Sequence, residues 1–352
     1  MKNKQYVPVI TALLVLCSMA FLYGCGSGAS GGGGGSTGGN WIYVGASDDL
    51  AISIINGSSN TLAGTIELSP RTPYHMVASV DGKHLYVSTD TFEVVIIDTA
   101  SNTISGLITT DANTQSYGMA VSADGAYLYF TRYQDNKLVR VPLKTDPITC
   151  ETMTTTARPY GICLADNDEK CIIGEQTNLE FVDTLTTLHH DTDIGISGNI
   201  FYSVAVKNNL AYVPRQAPSD TLVCDATNEV LLGLITPESA NSFWGIVSIP
   251  GKNKLYVCQN STPVGKVNII DSTTPTFEST VITGESYTMA EPTYMASTSD
   301  GRYVYVYDDL AISSVTHHIQ MCAIDTATNK VIKNITINSG TNYDNNPVII
   351  YK

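Results

Sequence analysis

The chain has 352 residues, with 19 Lys and Arg against 33 Asp and Glu, for a formal net charge of −14. Nucleic acid and anionic lipid headgroups repel such a balance, so no nucleic-acid partner is expected. The cysteines include no C-x-x-C pair, no zinc-ligand spacing and no C-x-x-C-H heme attachment site, and no cofactor and no metal is expected.

Residues 1–24 read as an export signal. Lys2 and Lys4 precede an apolar run from Val7 to Leu22, which ends in Leu22-Tyr23-Gly24-Cys25. These four residues resemble the bacterial lipobox, with Leu three places before Cys and a small residue just before it; Tyr23 departs from the usual pattern. The resemblance implies cleavage before Cys25 and lipid attachment on it. The apolar run is short for a membrane-spanning helix, which needs about 20 residues. Residues 25–40, nearly all Gly and Ser after Cys25, have almost no side chains to bury and form a flexible tether. The expected location is therefore the bacterial cell envelope, outside the cytoplasm, with the membrane contacted through the anchor alone.

The folded part is expected over residues 41–352. It begins with WIYVGASDDLAISIINGSSNTLAGTIEL (41–68), which holds three β-rich segments. Six similar copies follow, starting near Pro73, Ser116, Pro159, Phe201, Phe243 and Pro292, at intervals of 43, 43, 42, 42 and 49 residues. Each copy opens on an aromatic and a small residue, then runs strand, tight turn, strand, polar loop, strand, turn, strand. In ASVDGKHLYV the Asp81-Gly82 pair supplies the hairpin turn. In IDTASN, Asp98 is placed to accept backbone N–H bonds, and Asn102 tolerates the left-handed region. Strands apolar on both faces suit a sheet sandwiched between two others.

Four strands per 40–45 residues, repeated, is the signature of a β-propeller blade. The first fragment has a second, third and fourth strand but no first. The last, NPVIIYK (346–352), has only a first. Together they complete one split blade, so an all-β, seven-bladed propeller with four antiparallel strands per blade is expected. The pairs Tyr43-Val44, Tyr86-Val87, Tyr212-Val213, Tyr256-Val257 and Tyr305-Val306 resemble the YVTN-type, lactonase-like propeller repeat of bacterial and archaeal surface proteins. Tyr129-Phe130 is a variant, and the third copy, with Cys171-Ile172-Ile173, departs.

In such a fold the first strands line the central channel, and the loops at their start share a rim with those joining the second and third strands. Tyr74, His75, Tyr117, Tyr160, Tyr202, Trp244 and Tyr294 stand near those starts and are the candidate ligand-binding residues. Acidic loop residues, among them Asp90, Glu93, Asp135, Glu175, Asp220 and Asp308, lack the spacing of a dedicated calcium loop and read as solvated charge. Cys163 and Cys171 flank a short turn and are the candidate disulfide, whereas Cys322 reads as a buried thiol. No catalytic motif appears. The leading reading is a lipid-anchored binding scaffold whose rim meets a cell-envelope glycan, a peptide or a surface protein. Two alternatives stand beside it: a lactonase-like hydrolase using His75 with Arg158 or Arg215 and a rim carboxylate, and a quinone- or metal-dependent electron-transfer subunit.

Overall fold

The computed structural model describes residues 41–351 apart from 47–49, 92, 110–115, 146–147, 166–167, 197–198, 201–202, 237–241, 261–263, 282, 284–286, 314–315 and 341–348. Cys25 and Tyr202 lie outside the described residues, as do the signal and the tether. The protein is a seven-bladed β-propeller of four-stranded antiparallel sheets. Blades 1 to 6 are numbered from the copy at Pro73 onward, and blade 7 is the split one. Its sheet joins Ile349–Tyr351 to Trp41–Ala46, with Ile42 opposite Tyr351, Tyr43 opposite Ile350 and Val44 opposite Ile349. This closure leaves no blade with an open face.

The innermost strands are Pro73–Ala78, Met119–Val121, Pro159–Leu164, Ala205–Lys207, Phe243–Ser248, Pro292–Ser297 and Ile349–Tyr351. Each touches the next, and the last returns to the first. A short extra strand, Asn199–Ile200, precedes the inner strand of blade 4 on the same partner. At the axis, backbones pack too closely for side chains on that side. A Cβ on Gly118 would meet the Tyr160 carbonyl at 2.3 Å, and one on Gly245 would meet the Thr293 carbonyl at 2.5 Å. Blade 6 exceeds the repeat length because its strands Tyr303–Ser313 and Thr316–Asp325 form a long hairpin, paired in turn with Lys330–Gly340.

The turns form as their residues dictate. Gly82, Gly125, Gly251 and Gly301 take φ of 66°, 64°, 68° and 64° in the first hairpins. Asp98 Oδ1 accepts the Ala100 and Ser101 N–H groups at 3.0 and 2.8 Å, and Asn102 sits at φ 54°. Asp225 and Asp325 repeat this in blades 4 and 6.

The hydrophobic core is divided among the interfaces between blades. Cys163, Ile172 and Phe181 of blade 3 meet Val206, Val213 and Leu222 of blade 4, while Leu164, Cys171 and Ile173 meet Ala120, Tyr129 and Leu138 of blade 2. The expected Cys163–Cys171 disulfide is thus not formed, and Cys171 is a free buried thiol. The strand register sets Leu164, not Cys163, opposite Cys171. Neighbouring residues on a strand face opposite ways, so the two sulfurs point into different interfaces. Cys322 is a free, fully buried thiol, as expected.

At three of the interfaces the Tyr of the Tyr-Val pair stitches one blade to the next. Tyr43, Tyr256 and Tyr305 are fully buried. Their hydroxyls donate to the Asn side chain in the outer turn of the following blade: Tyr43 to Asn102 at 2.9 Å, Tyr256 to Asn329 at 2.6 Å and Tyr305 to Asn60 at 2.7 Å. All three Asn residues take the left-handed conformation, with φ 54°, 55° and 53°.

Candidate functional site

The inner strand of several blades opens on a bulge. Pairing with the second strand shifts between Pro73 and His75, Pro159 and Ile162, Phe243 and Ile246, and Pro292 and Tyr294. A bulge re-aims the side chain it carries. At the rim of blades 1 to 3 tyrosines form an aromatic platform of edge-to-face and tilted rings, in which Tyr160 is itself buried. The rings of Tyr74 and Tyr117 lie 5.8 Å apart, as do those of Tyr117 and Tyr160. Tyr133, from the loop after the second strand of blade 2, joins them at 5.3 Å from Tyr117 and 4.7 Å from Tyr160. The two classes of loop therefore do share a rim. Arg158 is exposed, lies 5.3 Å above the Tyr133 ring and donates to its hydroxyl at 3.1 Å. Tyr133 was not among the residues singled out from sequence, because nothing local to it marks the rim.

Tyr294 and Trp244 pack into interfaces between blades, and Tyr202 lies outside the described residues. Tyr294 is buried in the interface of blades 6 and 7 with Tyr305 and Ile42. Trp244 packs on the core between blades 5 and 6. His75 keeps some accessible surface yet is enclosed by protein, and its Nδ1 is buried without a hydrogen-bond partner. Burial lowers its pKa to about 4, which leaves it neutral and a weak base at neutral pH. The His75 backbone N–H donates to Ser88 Oγ at 3.0 Å.

Several rim acids are not solvated, contrary to expectation. Three places after Tyr86, Tyr129, Tyr212, Tyr256 and Tyr305, and after Ile172 in blade 3, stand Thr89, Arg132, Arg215, Gln259, Asp308 and Glu175, and all six are buried. This polar belt holds the rim loops in place. Asp308 accepts the Ala290 and Glu291 N–H groups at 2.9 and 2.8 Å and the Gln320 amide at 2.7 Å. Glu175 accepts from Thr156 Oγ1 at 2.6 Å and from the Ala157 N–H at 3.1 Å. Arg215 holds Asp220 through two bonds of 2.6 and 2.5 Å, and that pair is buried as a unit. The belt was legible only as a fixed offset in the repeat, since its residue types vary.

Blade 3 adds a further group. Glu180, on the strand Asn178–Asp183, is fully buried, with the equally buried Glu175 beside it. Burial and the neighbouring carboxylate push its pKa up to about 9. On its other side His190 Nδ1 stands 3.1 Å from Glu180 Oε1, and Asp193 lies opposite it in the strand register. No short sequence pattern marks this group, since His189 and His190 are adjacent on a strand and neighbours there face opposite ways.

No protein-family model matches the chain, and no curated protein does. Solved structures resemble it in fold. A functionally unknown protein from Desulfotomaculum acetoxidans has a TM-score of 0.67 at 13% identity, covering 88% of this chain and 99% of that one. The dihydro-heme d1 dehydrogenase NirN has a TM-score of 0.63 at 13% identity, covering 87% and 75%. Hydrazine synthase of Kuenenia stuttgartiensis has a TM-score of 0.59 at 16% identity, covering 70% and 76%. At these identities the likeness is one of fold.

Proposed function

We propose that the protein is a binding module of the cell envelope, held to the membrane through Cys25, that presents the tyrosine platform of blades 1–3 to an envelope glycan. The observation that carries this reading is the convergence of Tyr74, Tyr117, Tyr133 and Tyr160 with ring centroids 4.7–5.8 Å apart beneath an exposed Arg158. Phenol faces stack on the apolar face of a sugar ring, and the guanidinium pairs with a carboxylate carried by that sugar. The Tyr-Val repeat and its resemblance to surface-protein propellers support the same reading, as do the lipobox-like residues and the tether.

The hydrolase alternative has less support. Arg215 is committed to Asp220, Arg158 bonds Tyr133, and His75 is enclosed with a lowered pKa. The electron-transfer alternative is tested by an absorbance spectrum of the purified protein. The binding reading is tested by a glycan array probed with the full-length chain, followed by Tyr117→Ala and Tyr133→Ala. Each is expected to weaken the captured glycan by about tenfold, equivalent to roughly 1.4 kcal/mol. Affinity unchanged in both variants would refute the platform as the site, and lactone turnover abolished in His75→Ala would replace this reading with the hydrolase.

A further inference from the structure

We propose that Glu180, His190 and Asp193 bind one divalent transition-metal ion of the zinc class in blade 3. One ligand atom from each of the three lies within 4.8 Å of the other two. The strand geometry brings them together. Glu180 is paired with Asp193, Val182 is paired with His190, and the ladder shifts between Phe181 and Val182. On a regular strand, residues three apart face opposite sides. The extra residue in the bulge puts His190 and Asp193 on the same side as Glu180.

The place of Glu180 in the repeat is the second observation. The matching residue of the third strand is Ser53, Val95, Val139, Leu222, Asn268 or Cys322 in the other six blades, neutral every time. Only blade 3 buries a carboxyl there. It does so against Glu175, which is equally buried and already serves as the cap of the 156–157 loop. Among the described residues no Lys or Arg forms an ion pair with Glu175, Glu180 or Asp193. His190 is the group that faces them, its ring nitrogens 3.1 Å from Glu180 and 3.8 Å from Asp193, and its imidazole supplies a metal-binding nitrogen.

The donor set selects the ion. Calcium takes six to eight oxygens, whereas one imidazole nitrogen with two carboxylate oxygens suits zinc. Zinc–donor distances of about 2.0–2.2 Å require donors roughly 3.5 Å apart, so the set closes by about 1 Å on binding. The side chains of His190 and Asp193 are 42% and 29% exposed and have room to make that movement. Three protein donors leave a coordination position open toward solvent.

The test is titration of zinc chloride into the full-length chain, stripped with a chelator, followed by calorimetry. One zinc per chain is expected. His190→Ala and Asp193→Asn should each weaken binding by about tenfold or more, and His189→Ala, the neighbour facing the other way, should not. Zinc should raise the thermal midpoint of the parent chain. It should fail to do so in Glu180→Gln, whose fold is checked by circular dichroism. A folded parent chain that takes up no zinc, or uptake of equal affinity in the His190 and Asp193 variants, overturns the proposal.

Discussion

The tyrosine stitches between blades make a quantitative prediction, because one of them is missing its partner. Tyr212 is fully buried like Tyr43, Tyr256 and Tyr305, but its hydroxyl has no hydrogen-bond partner. The cause lies in the next blade. Its outer turn reads Asp271-Ser272-Thr273-Thr274-Pro275, with Pro where blades 1, 6 and 7 carry Asn. Replacing Tyr by Phe deletes the hydroxyl and little else. A neutral buried hydrogen bond contributes about 1 kcal/mol net. For about 310 ordered residues the unfolding entropy is roughly 0.65 kcal/mol/K, so each of Tyr43→Phe, Tyr256→Phe and Tyr305→Phe should lower Tm by about 1.5 °C. The three bonds lie at separate interfaces and should add, so the triple variant should lose about 3 kcal/mol and roughly 5 °C. Tyr212→Phe should lose nothing and gain up to about 1 kcal/mol, since it removes a desolvated group that bonds to nothing. Calorimetry with urea unfolding at a fixed pH reads both. If Tyr212→Phe is destabilised as much as the other three, the stitch mechanism is wrong.

Gly118→Ala should destabilise the protein by more than about 2 kcal/mol, because its Cβ would meet the Tyr160 carbonyl at 2.3 Å. Gly64→Ala, with nothing within 4 Å, should be neutral or better; equal midpoints for the two variants would contradict the tight axis. Asp308 predicts a pH effect. Burial raises its pKa from 3.8 to about 6, so the native state binds this proton more tightly than the unfolded chain does. Stability from this group is therefore full below about pH 4 and is lost as pH rises through 6, by up to about 3 kcal/mol. Urea unfolding at pH 4 and pH 7 should show that Asp308→Asn lacks this component; identical pH slopes for parent and variant would refute it. Leu232 and Leu234 are 57% and 53% exposed on the outermost strand of blade 4, an unprotected apolar edge. Leu232→Lys should raise the soluble concentration limit in light scattering while leaving Tm within about 1 °C.

What the sequence discloses about this fold depends on whether the chemistry is local. Asp98, Asn102 and Gly82 act within a few residues of themselves, and their recurrence discloses the turns, the blade length and the split closure. The Cys163–Cys171 pairing was misjudged because proximity across a hairpin is not register: an offset of one residue sends the two sulfurs to opposite faces. Tyr74, Tyr117 and Tyr160 were visible from their place in the repeat. Tyr133 was not, since it reaches the same rim from a loop whose path no short pattern encodes. Glu180, His190 and Asp193 converge only through a bulge, and the bulge shifts every side chain after it to the face that alternation would deny it.

A repeat reports what all blades need for packing, so chemistry particular to this protein has to appear where a blade departs from the rest. Blade 3 departs at three linked places. Ile172 replaces the stitching Tyr, and at the same interface Glu229 occupies the left-handed position of the missing Asn, with φ 56°. There Lys170 of blade 3 bridges to Glu229 at 2.7 Å, so an ion pair stands in for the Tyr–Asn bond. The third departure is Glu180, a carboxyl where every other blade is neutral. The loop capped beside it by Glu175 leads directly into Arg158 and Tyr160 of the platform. The two sites are thus neighbours along one short segment, 156–160. This makes a joint prediction: zinc at Glu180 should order that segment, and hydrogen exchange at 156–160 should slow on zinc addition in the parent chain but not in His190→Ala. Slowing of equal size in both would separate the metal from the loop and leave the departures of blade 3 as packing variation alone.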